Sequence, residues 1–162
     1  PCMMDHMETA TQTPWLTAAE QQVWRSFLGG TIVLNDRLDR DLRTAHGLSM
    51  PEYEILVRLS EAPDRSIRMA ERAAAVSHSR SRVTHTIARL EREGLVFRGQ
   101  CSEDGRGVSA VMTDKGFALL EDAAHTHVRG VHAYLVDNAT PEEFEVLGQI
   151  MQRVMTTLGG TC

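Results

Sequence analysis

Lysine is almost missing from this chain. Of its seventeen basic residues only Lys115 is a lysine and the other sixteen are arginines. A guanidinium makes bidentate contacts with phosphate or guanine that an ammonium cannot, although codon bias would leave the same signature. Cysteine is scarce as well. Cys2, Cys101 and Cys162 form no Cys-x-x-Cys pair and no disulfide framework, which fits a reducing compartment. No stretch approaches the roughly 18 apolar residues of a membrane helix, and no basic segment leads into an apolar one at the amino terminus. Neither a membrane partner nor a secretory signal is expected, and the cytoplasm is the expected location. A phosphate-binding glycine loop, a nucleophile elbow and a pair of catalytic carboxylates are all absent, so neither an enzyme nor a cofactor is expected. Aromatic residues make up only 5% of the chain, so each one counts for more in the search for a ligand site.

What is present is a chain of 162 residues, enough for one domain with a real core or a small domain with a helical appendage. Its net charge of −5 argues, taken whole, against a polyanionic partner. The charge is unevenly spread. Residues 63–107 hold nine arginines and six acids, a net +3, while the remainder holds eight basic and sixteen acidic residues, a net −8. A basic middle between acidic ends suits a DNA-reading module carried on a helical scaffold.

Within that middle, residues 77–107 (SHSRSRVTHTIARLEREGLVFRGQCSEDGRG) read as an amphipathic helix, a glycine stop, a strand and a charged hairpin tip. At about 100° per residue, Val83, Ile87 and Leu90 fall within about one sixth of a turn of one another and form the buried stripe. On the other side lie Ser81, His85 and Arg92, flanked by His78, Arg82 and Arg89, with no carboxylate among the six. Such a face suits phosphates and base edges. The layout predicts a recognition helix followed by a wing, with double-stranded DNA as the partner.

The flanking segments are helical. Thr17 and Glu20 have capping-box spacing, and Trp24, Phe27, Leu28, Ile32, Leu34, Leu38 and Leu42 recur at helical spacing, predicting a long helix over 17–45 with a kink or close packing at Gly29-Gly30. Ser49, Pro51 and Glu52 begin a short second helix ended by Ala62-Pro63-Asp64. Ser66 to Arg68 is too short for more than an edge strand, Met69 to Ala75 reads as a small helix, and Ser77 is placed to cap the recognition helix. Gly94 stops that helix. Strands at 95–100 and 108–112 follow. Thr113 caps a helix running to about Asn138, and Thr140-Pro141-Glu142-Glu143 starts the last one, with Phe144, Leu147, Met151, Val154 and Leu158 as its apolar stripe.

The expected class is mainly α with a small β-hairpin wing (α+β): a winged helix-turn-helix flanked by long helices, in the order helix, helix, edge strand, helix, helix, strand, strand, helix, helix. Residues 1–16 are expected to be a flexible leader, in part introduced by cloning. Residues 48–112 form the DNA-binding domain, and 17–47 with 113–160 form a helical dimerisation region, because long terminal helices with uncovered apolar stripes point to pairing with another chain.

Taken together, Thr84-His85-Thr86-Ile87-Ala88-Arg89-Leu90-Glu91, Gly94-Leu95-Val96, Asp104-Gly105-Arg106 and Thr113-Asp114-Lys115-Gly116 resemble the MarR family of winged helix-turn-helix transcription regulators, with the likeness extending over about residues 20–158. The resemblance implies an obligate homodimer with intertwined first and last helices. It also implies two recognition helices roughly 34 Å apart on a pseudo-palindromic operator. A small-molecule pocket near the junction of the two regions, most often serving repression released by a phenolic or aromatic ligand, is a further implication. The wing SEDGRG departs from the more basic wings of many members, which lowers the phosphate affinity expected of it.

On this basis Ser81, Arg82 and His85 are expected at base edges. Ser77, Ser79 and Arg80 lie at the amino end of the helix, where free N–H groups favour a phosphate, and His78 flanks them. Arg89 reaches a phosphate or pairs with Glu93 one turn on. In the wing, Arg106 is the expected minor-groove residue, aimed by Asp104. For the effector, Trp24, Phe27 and Tyr53 are the candidate apolar lining, with His46 or Arg58 as a polar anchor for a carboxylate or phenolate. Two rivals keep the fold but change the signal. A metal sensor would use His125, His127 and His132, yet His127 lies about 200° around the helix from His125, so the three do not converge without help from elsewhere. A thiol sensor would use Cys101 in the wing.

Overall fold

The structure is a computed structural model that describes residues 13–68, 80–100 and 108–159. By its internal contacts the chain divides into two units, one ending at Val33 and one beginning at Leu34. Helix α1 (Ala18–His46) runs across that boundary.

In the first unit the helix starts as its sequence dictates. The Glu20 amide donates to the Thr17 hydroxyl at 3.2 Å, and the Glu20 carboxylate accepts from the Thr17 amide at 2.8 Å. These reciprocal bonds satisfy two otherwise orphaned donors. The Thr17 amide, contributing most, and the Thr17 hydroxyl, which donates to the carboxylate at 2.8 Å, hold the Glu20 carboxyl below its ordinary range. Trp24 and Phe27 stack, with ring centroids 6.0 Å apart. Gly29-Gly30, the expected site of a kink or close packing, meets no other part of this chain. The helix is continuous, and a β-carbon at either glycine would meet nothing within 4 Å.

The second unit holds the core. Helix α2 (Met50–Glu61) is started by a capping box between Ser49 and Glu52. It ends in a short 3-10 turn, Pro63–Arg65, whose Asp64 and Arg65 both have positive φ, 53° and 51°. Strand β1 (Ser66–Arg68) follows. Residues 69–75, where the small third helix is expected, and Ser77, its expected neighbour cap, lie outside the described residues. The next described helix, α3, is Arg80–Arg92. Strands β2 (Val96–Gln100) and β3 (Val108–Met112) pair antiparallel, Val96 opposite Met112, and β3 also pairs with β1, Ile67 opposite Ala110. The sheet order is β1-β3-β2, so β1 is an edge strand as its length suggested.

Helix α4 (Asp114–Tyr134) is capped by the Thr113 hydroxyl, which accepts from Gly116 N–H at 3.0 Å. It stops four residues before the expected Asn138, and Val136–Asn138 form a separate 3-10 turn. Helix α5 (Pro141–Thr157) begins with the second expected capping box, Thr140 with Glu143. The core is made by Leu42 of α1, Ile55, Leu56 and Leu59 of α2, Val83, Ile87 and Leu90 of α3, Val96 and Met112 of the sheet, and Leu120 and Ala123 of α4. The described residues thus carry five α-helices and a three-stranded antiparallel sheet. This is the mainly helical winged-helix class anticipated from the sequence.

Candidate nucleic-acid interface

Helix α3 buries the stripe that its periodicity marked: Val83, Ile87 and Leu90 are at most 5% exposed. That anchoring turns the opposite side of the helix outward, and His85 and Arg92 are exposed on it. For Arg80, Ser81 and Arg82 the backbone is helical. Ser77, His78, Ser79, Asp104 and Arg106 lie outside the described residues.

The carboxyl end of α3 is tightly tied down. Gly94 adopts φ +70°, and Leu95 N–H returns to the Leu90 carbonyl at 2.9 Å, which is the left-handed glycine stop expected at such an end. Lys115 Nζ donates to the Glu93 carbonyl at 2.7 Å, and the Thr113 hydroxyl donates to the Gly94 carbonyl at 2.8 Å. Arg98 of β2 pairs with Glu91 at 3.1 Å. The helix is therefore held to the sheet and to the first turn of α4 by charge and by backbone at once.

Arg89 does not pair with Glu93 one turn on. Its Nε lies 3.0 Å from Glu52 Oε1 at the start of α2, and its Nη2 lies 3.5 Å from the Gly47 carbonyl at the end of α1. The Glu52 side chain is only 4% exposed, and its other oxygen accepts from the Ser49 amide and hydroxyl, both at 2.7 Å. Sequence reasoning had placed Glu52 as a helix-start residue and nothing more, because no local spacing links positions 52 and 89.

Two cavities flank α2. The first, about 260 Å³, lies behind the recognition helix and is lined by His46, Glu52, Arg89, Glu93 and Lys115 among others. The second, about 550 Å³, is lined by Met50, Tyr53, Glu54, Val57, Arg58 and Glu61 of α2 and by His127 of α4. Three of the candidate effector residues belong to the second unit, and they divide between these cavities. Tyr53 and Arg58 share the larger cavity, and His46 belongs to the smaller, where its Nε2 is 2.8 Å from the Thr126 hydroxyl. The two cavities lie on different sides of α2: neighbours on a helix point about 100° apart, so Glu52 lines the smaller and Tyr53 the larger.

His127, considered beforehand only as a metal ligand, is the other aromatic wall of the larger cavity. Its ring is 4.7 Å from that of Tyr53, and its Nδ1 is buried without a hydrogen-bond partner. Burial pushes its pKa below the ordinary histidine value, with Glu54 opposing. The same desolvation pushes the Tyr53 phenol up. His132 lies 3.8 Å from Asp137, and among the described residues no three His, Cys, Asp or Glu side chains are grouped to hold a metal ion. Nor is any described helix long and apolar enough to cross a membrane.

Comparison with known proteins agrees with this geometry. The sequence model of the MarR family matches residues 48–108, the segment from the start of α2 to the start of β3. The HTH-type transcriptional repressor YetL of Bacillus subtilis is 30% identical over 112 residues, 67% of this chain and 66% of that protein. Among solved structures, Sco3205, a MarR family transcriptional regulator from Streptomyces coelicolor crystallised in complex with DNA, superposes with a TM-score of 0.84 at 43% identity, covering 89% of this chain and 94% of that one. AbsC, a second MarR family regulator from the same organism, gives the same TM-score at 38% identity, covering 92% and 100%.

Proposed function

Since the chain belongs to the MarR family of transcriptional regulators, we propose that it is a repressor which binds a pseudo-palindromic DNA operator as a homodimer and is released by a small aromatic ligand. The observation that carries the DNA-binding part is helix α3. Its apolar stripe is fully consumed by the core, which leaves His85 and Arg92 on an outward face free of carboxylates. The likeness to a relative crystallised on DNA supports the same reading. Ser81, Arg82 and His85 are assigned to base edges, with Ser77, His78, Ser79 and Arg80 at the phosphates and Arg106, aimed by Asp104, in the minor groove.

Dimerisation is supported by α5, a helix of 17 residues with no buried residue at all. Phe144, Val146, Ile150, Val154 and Leu158 are exposed along it, as are Val23, Trp24, Leu28 and Ile32 along α1. Apolar surface of that extent is usually covered by a partner, and the proposed division is a DNA-binding domain over 48–112 with dimerisation helices over 17–47 and 113–160. The proposed effector site is the Tyr53–His127 cavity, whose size and mixture of apolar walls with a few polar groups suit a small aromatic molecule. A cytoplasmic location accompanies this reading.

The test is selection of duplexes from a random library with the purified protein, followed by a ligand screen on the selected duplex. Two half-sites about one helical turn apart are expected. A protein that enriches no sequence refutes the DNA-binding reading.

A further inference from the structure

We propose that Arg89 and Glu52 are a positioning pair that sets the angle of the recognition helix, and that Arg89 serves sequence reading from behind the helix rather than by touching phosphate. The inference rests on the DNA-binding reading above. Three observations carry it. First, the Arg89 guanidinium on the recognition helix has partners within the protein: Glu52 at 3.0 Å and the Gly47 carbonyl at 3.5 Å. It therefore bonds α3 to the end of α1 and the start of α2 together.

Second, the acid at position 52 does more than the cap requires. A capping box works equally well with glutamine, since one oxygen suffices to accept from the cap residue. Here Oε2 does that, accepting from Ser49 N–H and Oγ at 2.7 Å each, while Oε1 is given over to Arg89. A carboxylate that is almost wholly buried is costly without a cation beside it, and Arg89 is the cation in direct contact with Glu52, with Arg43 of α1 adding a longer-range attraction.

Third, the start of α2 is itself braced. Met50 N–H donates to Asp39 at 2.7 Å, and Asp39 in turn pairs with Arg43 at 2.6 Å. The far side of α2 walls the larger cavity. Glu52 is thus a fixed post, and Arg89 sets how far α3 leans from it. A recognition helix that leans differently keeps its phosphate attraction but loses register with the base edges.

The test measures the duplex selected by the wild-type protein against a scrambled duplex of the same length, each over a range of salt. Glu52→Gln preserves the cap and removes the charge, and Arg89→Gln removes the partner at a half-exposed position that tolerates change. Each is expected to weaken binding to the selected duplex about tenfold, the size typical of coupling within one ion-pair network. The scrambled duplex should be bound within about twofold of wild type and the slope of log affinity against log salt should not change, because no phosphate contact is lost. The double variant should lose no more than either single one. Arg89 acting as a phosphate contact would instead lower the salt slope by about 0.9 in Arg89→Gln and leave Glu52→Gln neutral, which overturns the proposal. Equal loss on both duplexes, tracking a lowered melting temperature, also overturns it by reducing the pair to a stability role. A wild-type protein that selects no duplex is a separate result, which removes the underlying reading.

Discussion

Gly116 and Leu95 are packed so closely that position 116 has no room for a side chain. A β-carbon there would run into the Leu95 carbonyl oxygen, with the Leu95 carbonyl carbon at 3.0 Å and Met112 Cγ at 3.1 Å. The carbonyl cannot retreat, because it accepts from Thr113 N–H at 3.0 Å and from the Thr113 hydroxyl at 3.1 Å. Gly116→Ala should therefore lower stability by about 1–3 kcal/mol, the usual cost of overpacking. Urea unfolding measures it, and an unchanged midpoint would show that the start of α4 is looser than described.

Removal of Arg106 should give the opposite signature to removal of Arg89. Arg106→Ala is expected to weaken the selected duplex and to reduce the salt slope by about 0.9, as loss of one phosphate-neutralising charge requires. Anisotropy titrations at several salt concentrations compare the two arginines directly. An unchanged slope and affinity for Arg106→Ala would remove the wing from the interface.

The apolar row on α5 gives a third expectation. Ile150 and Val154 are both exposed on a helix with no buried residue, and carboxylates there would have to be desolvated in any helix–helix interface. The pair Ile150→Glu and Val154→Glu should convert a dimer to a monomer by light scattering while leaving the helical circular dichroism largely intact. A dimer that survives both changes places its interface elsewhere.

His127, half-buried with its Nδ1 wholly enclosed, predicts a pH dependence with a definite sign. Its pKa in the folded chain is depressed by burial, while in the unfolded chain it returns to about 6.5. Between the two values the unfolded state binds more protons, so stability is full above about 6.5 and is lost as pH falls through the folded value. His127→Phe keeps an aromatic ring against Tyr53 and removes the orphaned nitrogen, so its stability should fall less between pH 7 and pH 5. Asp39, whose burial is outweighed by hydrogen bonds from Arg43 and the Met50 amide, is held below the ordinary carboxylate range and titrates in a more acidic window. Identical pH profiles for wild type and variant would contradict the burial of His127.

What could be read from the sequence was what is decided within a few residues. The boxes at Thr17 and Glu20, Ser49 and Glu52, and Thr140 and Glu143, the glycine stop at Gly94 and the stripe of Val83, Ile87 and Leu90 are all settled by neighbours three or four positions apart. What escaped was decided by packing between distant elements. Arg89 could be matched on paper only with Glu93, whereas the fold supplies a buried acid from α2. His127 was weighed with His125 and His132 because they are close in sequence, whereas its partner in space is Tyr53. His46 and Tyr53 fall in different cavities for the same reason: residue type identifies a side chain worth watching but not the side of the helix it faces.

Strand β3 has both other strands as neighbours, and its last residue, Met112, is followed at once by the cap of α4. The wing and the long helix are thus joined without slack. Between the end of β3 and the first turn of α4 only Thr113 intervenes, so a displacement of one has no linker in which to be absorbed before it reaches the other.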